Sequence, residues 1–155
     1  MAAHPEERLA ELGLALPEVP KPAGSYVPAL RNGALVYTSG QLPMVDGTLP
    51  ATGKVGAAVS AEEAKDLARQ CALNALAAIK AEIGDLAKVR RVVKVVGFVA
   101  SDPAFTAQPG VINGASELLG AVFGEAGVHA RSAVGVAVLP LDAPVEVEIV
   151  VQVGA

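Results

Sequence analysis

The segment Val145–Val153 constrains the fold more than any other. Branched aliphatic residues stand at 145, 147, 149, 151 and 153, and Glu146, Glu148, Val150 and Gln152 alternate with them. A period of two is that of a β-strand, whose successive side chains point to opposite faces. One face is wholly branched and apolar, so another layer must cover it. A second strand is predicted over residues 89–100, where Val89, Val92, Val93, Val95, Val96, Phe98 and Val99 crowd together. β-Branched residues at that density favour strand over helix. The covering layer is present in the sequence. Ser60-Ala61-Glu62-Glu63 is a capping box that opens a helix to about Ile83, with Gly84 as its stop. Ala64, Leu67, Ala68, Cys71, Ala75, Leu76, Ile79 and Ile83 form its apolar face. A second helix is predicted over about 109–124, with Val111, Ala115, Leu118, Leu119 and Val122 inward.

Further strands are predicted over 26–30 and 34–39. They flank Arg31-Asn32-Gly33, where Asn-Gly signals a hairpin with a type I′ turn. Another is predicted over 131–139, joined to 145–153 by Pro140–Pro144. The order β-β-α-β-α-β-β gives an α+β fold, a mixed sheet with two helices on one face. The strand after each helix can lie parallel to an earlier one through a crossover. Residues 1–155 read as a single domain. Its first 20 residues form an N-terminal extension with a short helix over 5–13. Three prolines and a glycine then make 17–24 an extended linker, and 43–59 reads as a long loop. In 131–139 the bulky set Ser132, Val134, Val136 and Val138 suits the helix-covered face. Arg131, Ala133, Gly135, Ala137 and Leu139 would then lie on the other. So small and apolar a second face implies cover by another protein surface, hence an oligomer with packed sheet faces.

Composition excludes several functions. With 12 basic and 16 acidic residues the net charge is −4, and only Arg90, Arg91 and Lys94 cluster. Nucleic-acid binding normally shows as a basic patch, so no nucleic-acid partner is expected. Tryptophan is absent and aromatics make up 3%, which removes the stacking platforms of single-strand binders. No apolar run approaches the roughly 18–20 residues of a membrane-spanning helix, so no membrane partner is expected. One cysteine and two histidines cannot build a convincing metal site. The N-terminus lacks a basic start followed by an apolar stretch, so no signal peptide is expected and the location is expected to be cytoplasmic. Phosphate loops, dinucleotide fingerprints and nucleophile elbows do not occur.

Few residues remain for chemistry. Cys71 lies on the apolar helix face and reads as a buried, inert thiol. His4 is expected on a mobile terminus, and His129 in a surface or loop-packing role. Arg131 opens a strand of small residues beside His129 and Ser132. It is either a strand-end partner of a surface acid or a group that grips a carboxylate bidentately. Glu146 is either a solvated strand-end charge or an acid–base group. If the last two strands formed a hairpin, Arg131 and Glu146 would lie toward its opposite ends. They could then share one site only across a subunit boundary or with help from loops.

Several blocks together resemble a known family. They are Gly24-Ser25-Tyr26-Val27, Leu35-Val36-Tyr37-Thr38-Ser39-Gly40-Gln41-Leu42-Pro43, Asn113, the run Ala130–Pro140, and Val145-Glu146-Val147-Glu148. They resemble the YjgF/RidA family, the reactive-intermediate deaminases that include endoribonuclease L-PSP-like proteins, over roughly residues 20–153. The resemblance implies a chorismate-mutase-like fold and a homotrimer with sites in the clefts between subunits. It implies hydrolysis of enamines and imines such as 2-aminoacrylate and 2-iminobutyrate to 2-keto acids and ammonia, with no metal or organic cofactor. By the same resemblance Arg131 grips the substrate carboxylate and Glu146 positions or activates water. Tyr26, Ser39, Gly40 and Asn113 line the cleft. Ala133 stands where the family often has a cysteine, so chemistry through that thiol is excluded while the backbone groups remain. The segment 108–116 and the N-terminal extension mark a divergent branch. The other reading is a binding protein that holds a small carboxylate metabolite in the same cleft without turnover. The RNA-cleaving role of some relatives is disfavoured by the acidic charge and sparse aromatics.

Overall fold

The strand that constrains the sequence most is also the centre of the fold. In this computed structural model, which describes residues 3–154, Val145–Val153 forms the middle strand of a five-stranded sheet. The strands are β1 (Ala29–Asn32), β2 (Leu35–Thr38), β3 (Val89–Ala100), β4 (Ala130–Val136) and β5 (Val145–Val153), in spatial order β1-β2-β5-β3-β4. The helices are α1 (Pro5–Glu11), α2 (Ala61–Ile83) and α3 (Gln108–Phe123). Within the described residues no helix is long and apolar enough to cross a membrane. β5 runs antiparallel to both β2 and β3, and β4 lies parallel to β3. The expected crossovers are therefore present: α2 carries the chain from β2 to β3 past the inserted β5, and α3 carries it from β3 to the adjacent β4.

Local sequence explains each boundary. Ser60 caps α2 by accepting from the amide of Glu63 at 3.1 Å, and Gly84 ends it at φ +89°. β3 buries Val89, Val92 and Val95 at three-residue spacing because its pairing with β5 slips twice, between Val89 and Arg91 and between Val92 and Lys94. Such irregularities turn extra residues toward one face. The hairpin departs from expectation by one residue. Asn32 pairs with Leu35, so the two loop residues are Gly33 and Ala34. Gly33 has φ +63° and Ala34 does not share it. Positive φ at the first position alone is the type II′ pattern, which places glycine there.

The alternating residues of β5 are all buried beneath α2, none more than 4% exposed. Burying each such side chain contributes about 1.5–3 kcal/mol. β4 corrects the sequence reading. It is not hairpin-paired with β5, because β3 lies between them, and it ends at Val136. Arg131, Ala133 and Gly135 pair with Val95, Gly97 and Val99, which share the helix-covered face. The bulky set points the other way: Val134 is 44% exposed. Bulk misleads here because α3 crosses this corner closely. A Cβ on Gly97 would sit 2.5 Å from Ile112 of α3. Only small residues fit beneath so near a helix.

The face away from the helices carries Leu30, Tyr37, Val96, Phe98, Val134 and Val150 beside Glu146 and Glu148. Leu30, Tyr37 and Val134 are exposed. A loop through Leu139 and Ala143 covers the end near Ala100, with Leu42, Phe98 and Val136 packed against it. The N-terminal segment is also anchored, contrary to the expectation of a mobile His4. His4 caps α1 by accepting from the amide of Glu6 and bonds Asp85 at 2.8 Å. Lys80 of α2 pairs with Glu6, and Leu9 is buried.

Candidate functional site

The residues singled out in the sequence fall into two groups on opposite faces of the sheet. The first gathers Tyr26, Ser39, Gly40 and Glu146. Gln41 exchanges both backbone hydrogen bonds with Val147 at 2.8 and 3.0 Å, which prolongs the pairing past β2. This bridge lays Gly40 directly on Glu146: a Cβ at residue 40 would fall 2.4 Å from the Glu146 Oε1. Glycine is favoured there by space, not by conformation, because any larger residue would push the Glu146 side chain aside. Ser39 donates its hydroxyl to the Val27 carbonyl at 2.6 Å and its amide to the Pro28 carbonyl at 2.8 Å. Those two bonds hold the segment bearing Tyr26. The Tyr26 hydroxyl accepts from the Ala23 amide at 3.1 Å.

Beside Gly40 opens a recess of about 60 Å³, lined by Pro20, Lys21, Pro22, Tyr26, Gly40 and Met44 among others. The end of the N-terminal extension thus forms one of its walls. Its opposite wall is tied to the core. Asn74, fully buried on α2, donates to the carbonyls of Leu42 at 2.9 Å and Met44 at 3.0 Å, and accepts from Gln70 at 3.1 Å. Glu146 itself is half-buried, and its carboxyl is pushed above the usual range, chiefly by burial and secondly by Glu148. A carboxyl desolvated in this way holds its proton more readily and suits proton exchange.

The second group gathers Asn113, Arg131 and Ala133 where α3 meets β4. Arg131 Nη1 donates to Asn113 Oδ1 at 2.8 Å and to Ser116 Oγ at 3.1 Å, and Nη2 donates to the Pro109 carbonyl at 3.2 Å. Of the five guanidinium N–H groups, the remaining two, on Nε and Nη2, have no acceptor among the described residues. No acidic side chain among them comes within 4 Å of Arg131. The surface ion pair that was the other reading of Arg131 is therefore absent among those residues. Ala133, two residues on, packs against the core on the same face.

Sequence reasoning missed Ser116, the Pro109 carbonyl and Asn74. A signal existed for Ser116: it stands three residues after Asn113 and so shares its helix face. His129, read as loop packing, bonds Ser116 at 2.8 Å. Cys71 is fully buried, as expected, and burial pushes its thiol well up.

The two groups do not meet within one chain. Arg131 pairs with Val95 and Glu146 with Phe98, so they stand two strands apart and three positions displaced. Standard sheet spacings put their Cα atoms roughly 14 Å apart. An odd displacement also sends the side chains to opposite faces. The hairpin expectation gave the right consequence, separation, for the wrong reason.

This arrangement has known relatives. The chain is 47% identical over 145 residues to Protein TCP17 of Trypanosoma cruzi, covering 93% of this chain and 91% of that one. It is 33% identical over 141 residues to a 2-iminobutanoate/2-iminopropanoate deaminase of Dermatophagoides farinae, covering 90% and 94%. A crystal structure of a protein of unknown function from Agrobacterium tumefaciens superposes with a TM-score of 0.90 at 49% identity, covering 97% and 92%. The family pattern described as YjgF/chorismate-mutase-like endoribonuclease matches residues 6–153, and with fold and sequence in agreement the chain belongs to that family.

Proposed function

We propose that the protein hydrolyses small carboxylate-bearing imines and enamines, of the 2-aminoacrylate and 2-iminobutyrate kind, to 2-keto acids and ammonia. The observation that carries this reading is the complementary chemistry of the two groups. Arg131 keeps two N–H donors and an uncompensated charge, which is what a carboxylate takes up bidentately. Glu146 has a carboxyl biased toward holding a proton. The deaminase of Dermatophagoides farinae adds support as a 33% identical relative.

The chemistry asks little else. An imine carbon is already electrophilic, and Arg131 would fix the substrate through its carboxylate. Glu146 would accept a proton from water as the water adds to the C=N carbon. The resulting carboxylic acid would pass that proton to nitrogen, giving a carbinolamine, and the carboxylate would then relay the hydroxyl proton to nitrogen as the C–N bond breaks and the C=O forms. Imine and water leave as keto acid and ammonia, with no electrons transferred and no metal or organic cofactor required.

In this reading the site is completed between subunits of a homotrimer, the Arg131 group of one facing the Glu146 group of the next. The uncovered apolar face of the sheet supports such an assembly. The test is keto-acid release from freshly generated 2-aminoacrylate and 2-iminobutyrate. Arg131→Ala and Glu146→Gln should each strongly reduce acceleration over the spontaneous rate. Mixing the two variants as refolded or co-expressed chains should restore about a quarter of the activity, since random assembly leaves that share of interfaces with both residues intact. No acceleration by the wild type would sink the reading. Arg131-dependent binding of 2-oxobutanoate without turnover would make the protein a carboxylate-binding module instead.

A further inference from the structure

We propose that Ser116 and His129 are positioning residues for Arg131, joined in a hydrogen-bond relay of fixed polarity. That Arg131 meets a ligand rests on the reading above; the relay stands on geometry alone. His129 Nδ1 lies 2.6 Å from the Gly127 carbonyl oxygen, which can only accept. The ring proton must therefore sit on Nδ1. The opposite tautomer would aim a nitrogen lone pair at an oxygen lone pair. In the neutral ring Nε2 is then an acceptor, and Ser116 Oγ, 2.8 Å away, is the group that gives it a proton. With its proton directed there, Ser116 Oγ presents its lone pairs to Arg131 Nη1 at 3.1 Å. Asn113 Oδ1 takes the other Nη1 proton at 2.8 Å. Every bond in the series Arg131, Ser116, His129, Gly127 thus has one donor and one acceptor, and for the neutral ring no alternative order satisfies all of them.

Among the described residues the cradle contains no anion. Glu117, next to Ser116 on α3, is directed to Lys65 at 3.1 Å instead. An arginine held for stability alone is normally matched by a carboxylate. Here three neutral oxygens fix the guanidinium and leave its charge and two N–H groups for something else. The relay also ties α3 to the turn that leads into β4, so the orientation of Arg131 follows from how those elements dock.

Two measurements decide this. Long-range proton–nitrogen NMR of the neutral His129 ring should show the Nδ1–H tautomer; the Nε2–H tautomer would overturn the relay. In kinetics, Ser116→Ala should raise KM for 2-iminobutyrate about tenfold, the size of a lost hydrogen bond to a charged group, with kcat within about twofold. Ser116→Thr, which keeps the hydroxyl, should restore KM. In an Arg131→Ala background Ser116→Ala should change nothing further, because its effect passes through the guanidinium. An equal effect in both backgrounds would show that Ser116 serves the fold only. If the wild type proves to turn over no imine, the deaminase reading fails by itself. The tautomer, and the same cycle read as Kd for 2-oxobutanoate, then judge the relay separately.

Discussion

The Arg131 group and the Glu146 group are built from different materials, as suits the different tasks proposed for them. Arg131 is seated on a strand and braced by a helix, with three directional bonds to neutral acceptors. Glu146 is on a strand too, but its environment is set by loops and by the bare backbone of Gly40. One group is oriented and the other is desolvated. Holding a carboxylate calls for fixed geometry and intact charge. Moving a proton calls for a shifted affinity and a water within reach.

The comparison breaks if the two groups fail alike. Glu146→Gln should lower kcat by about 10²–10⁴-fold with little change in KM, the range for losing a general acid–base group. Arg131→Ala should lower kcat/KM by about 100-fold, chiefly through KM, as expected for two charge-assisted hydrogen bonds. Steady-state kinetics on the same imine separates the two signatures.

The two glycine contacts sharpen it. Gly97→Ala drives a methyl into Ile112 in the core and should cost about 1–3 kcal/mol of stability, seen in chemical denaturation. Gly40→Ala meets the movable end of a side chain, so it should cost less stability but displace the Glu146 carboxylate, with kcat down about tenfold, the value of one misplaced acid–base group.

The smallest effect concerns stability and pH. The fold raises the affinity of Glu146 for its proton. Its stabilising contribution is therefore fully present below the unfolded carboxylate range, about 4.3, and is lost as pH rises through the folded value. Glu146→Gln mimics the protonated acid. Its Tm should exceed that of the wild type at neutral pH, and the gain should vanish in acid. A lower Tm at neutral pH would mean that the ionised carboxylate is stabilised by its surroundings.

Periodicity made the frame legible. Residues 89–100 and 145–153 are strands at the expected limits, and α2 ends where Gly84 stops it. These segments repeat one physical requirement many times, so the pattern survives local exceptions. β4 is short and sits beneath a close helix, and there the usual link between bulk and burial reverses: Ala133 and Gly135 face α3 while Val134 faces away. The hairpin turn moved by one residue because Gly33 alone satisfies a type II′ turn. The members of each candidate group were legible through resemblance, but their division between two faces was not. That division depends on β3 lying between β4 and β5, a long-range pairing that no local pattern encodes. The Ser116–His129 contact joins residues 13 apart across a turn, and no local pattern pairs them.

Asn74 links the evolution of the core to that of the recess. It occupies an interior position of α2 where leucine or alanine would ordinarily improve the helix and its packing. Either replacement would leave the carbonyl of Leu42 without its donor and that of Met44 with only the long 3.5 Å bond from Gln70. Lineages that drift toward a more apolar core at this point must therefore reshape the loop, and with it the wall facing Tyr26. The reverse also holds, since a loop altered to admit a new ligand frees a buried amide. Searches for stabilised variants of this chain should leave position 74 fixed, and searches for new specificity should vary it together with residues 42–44.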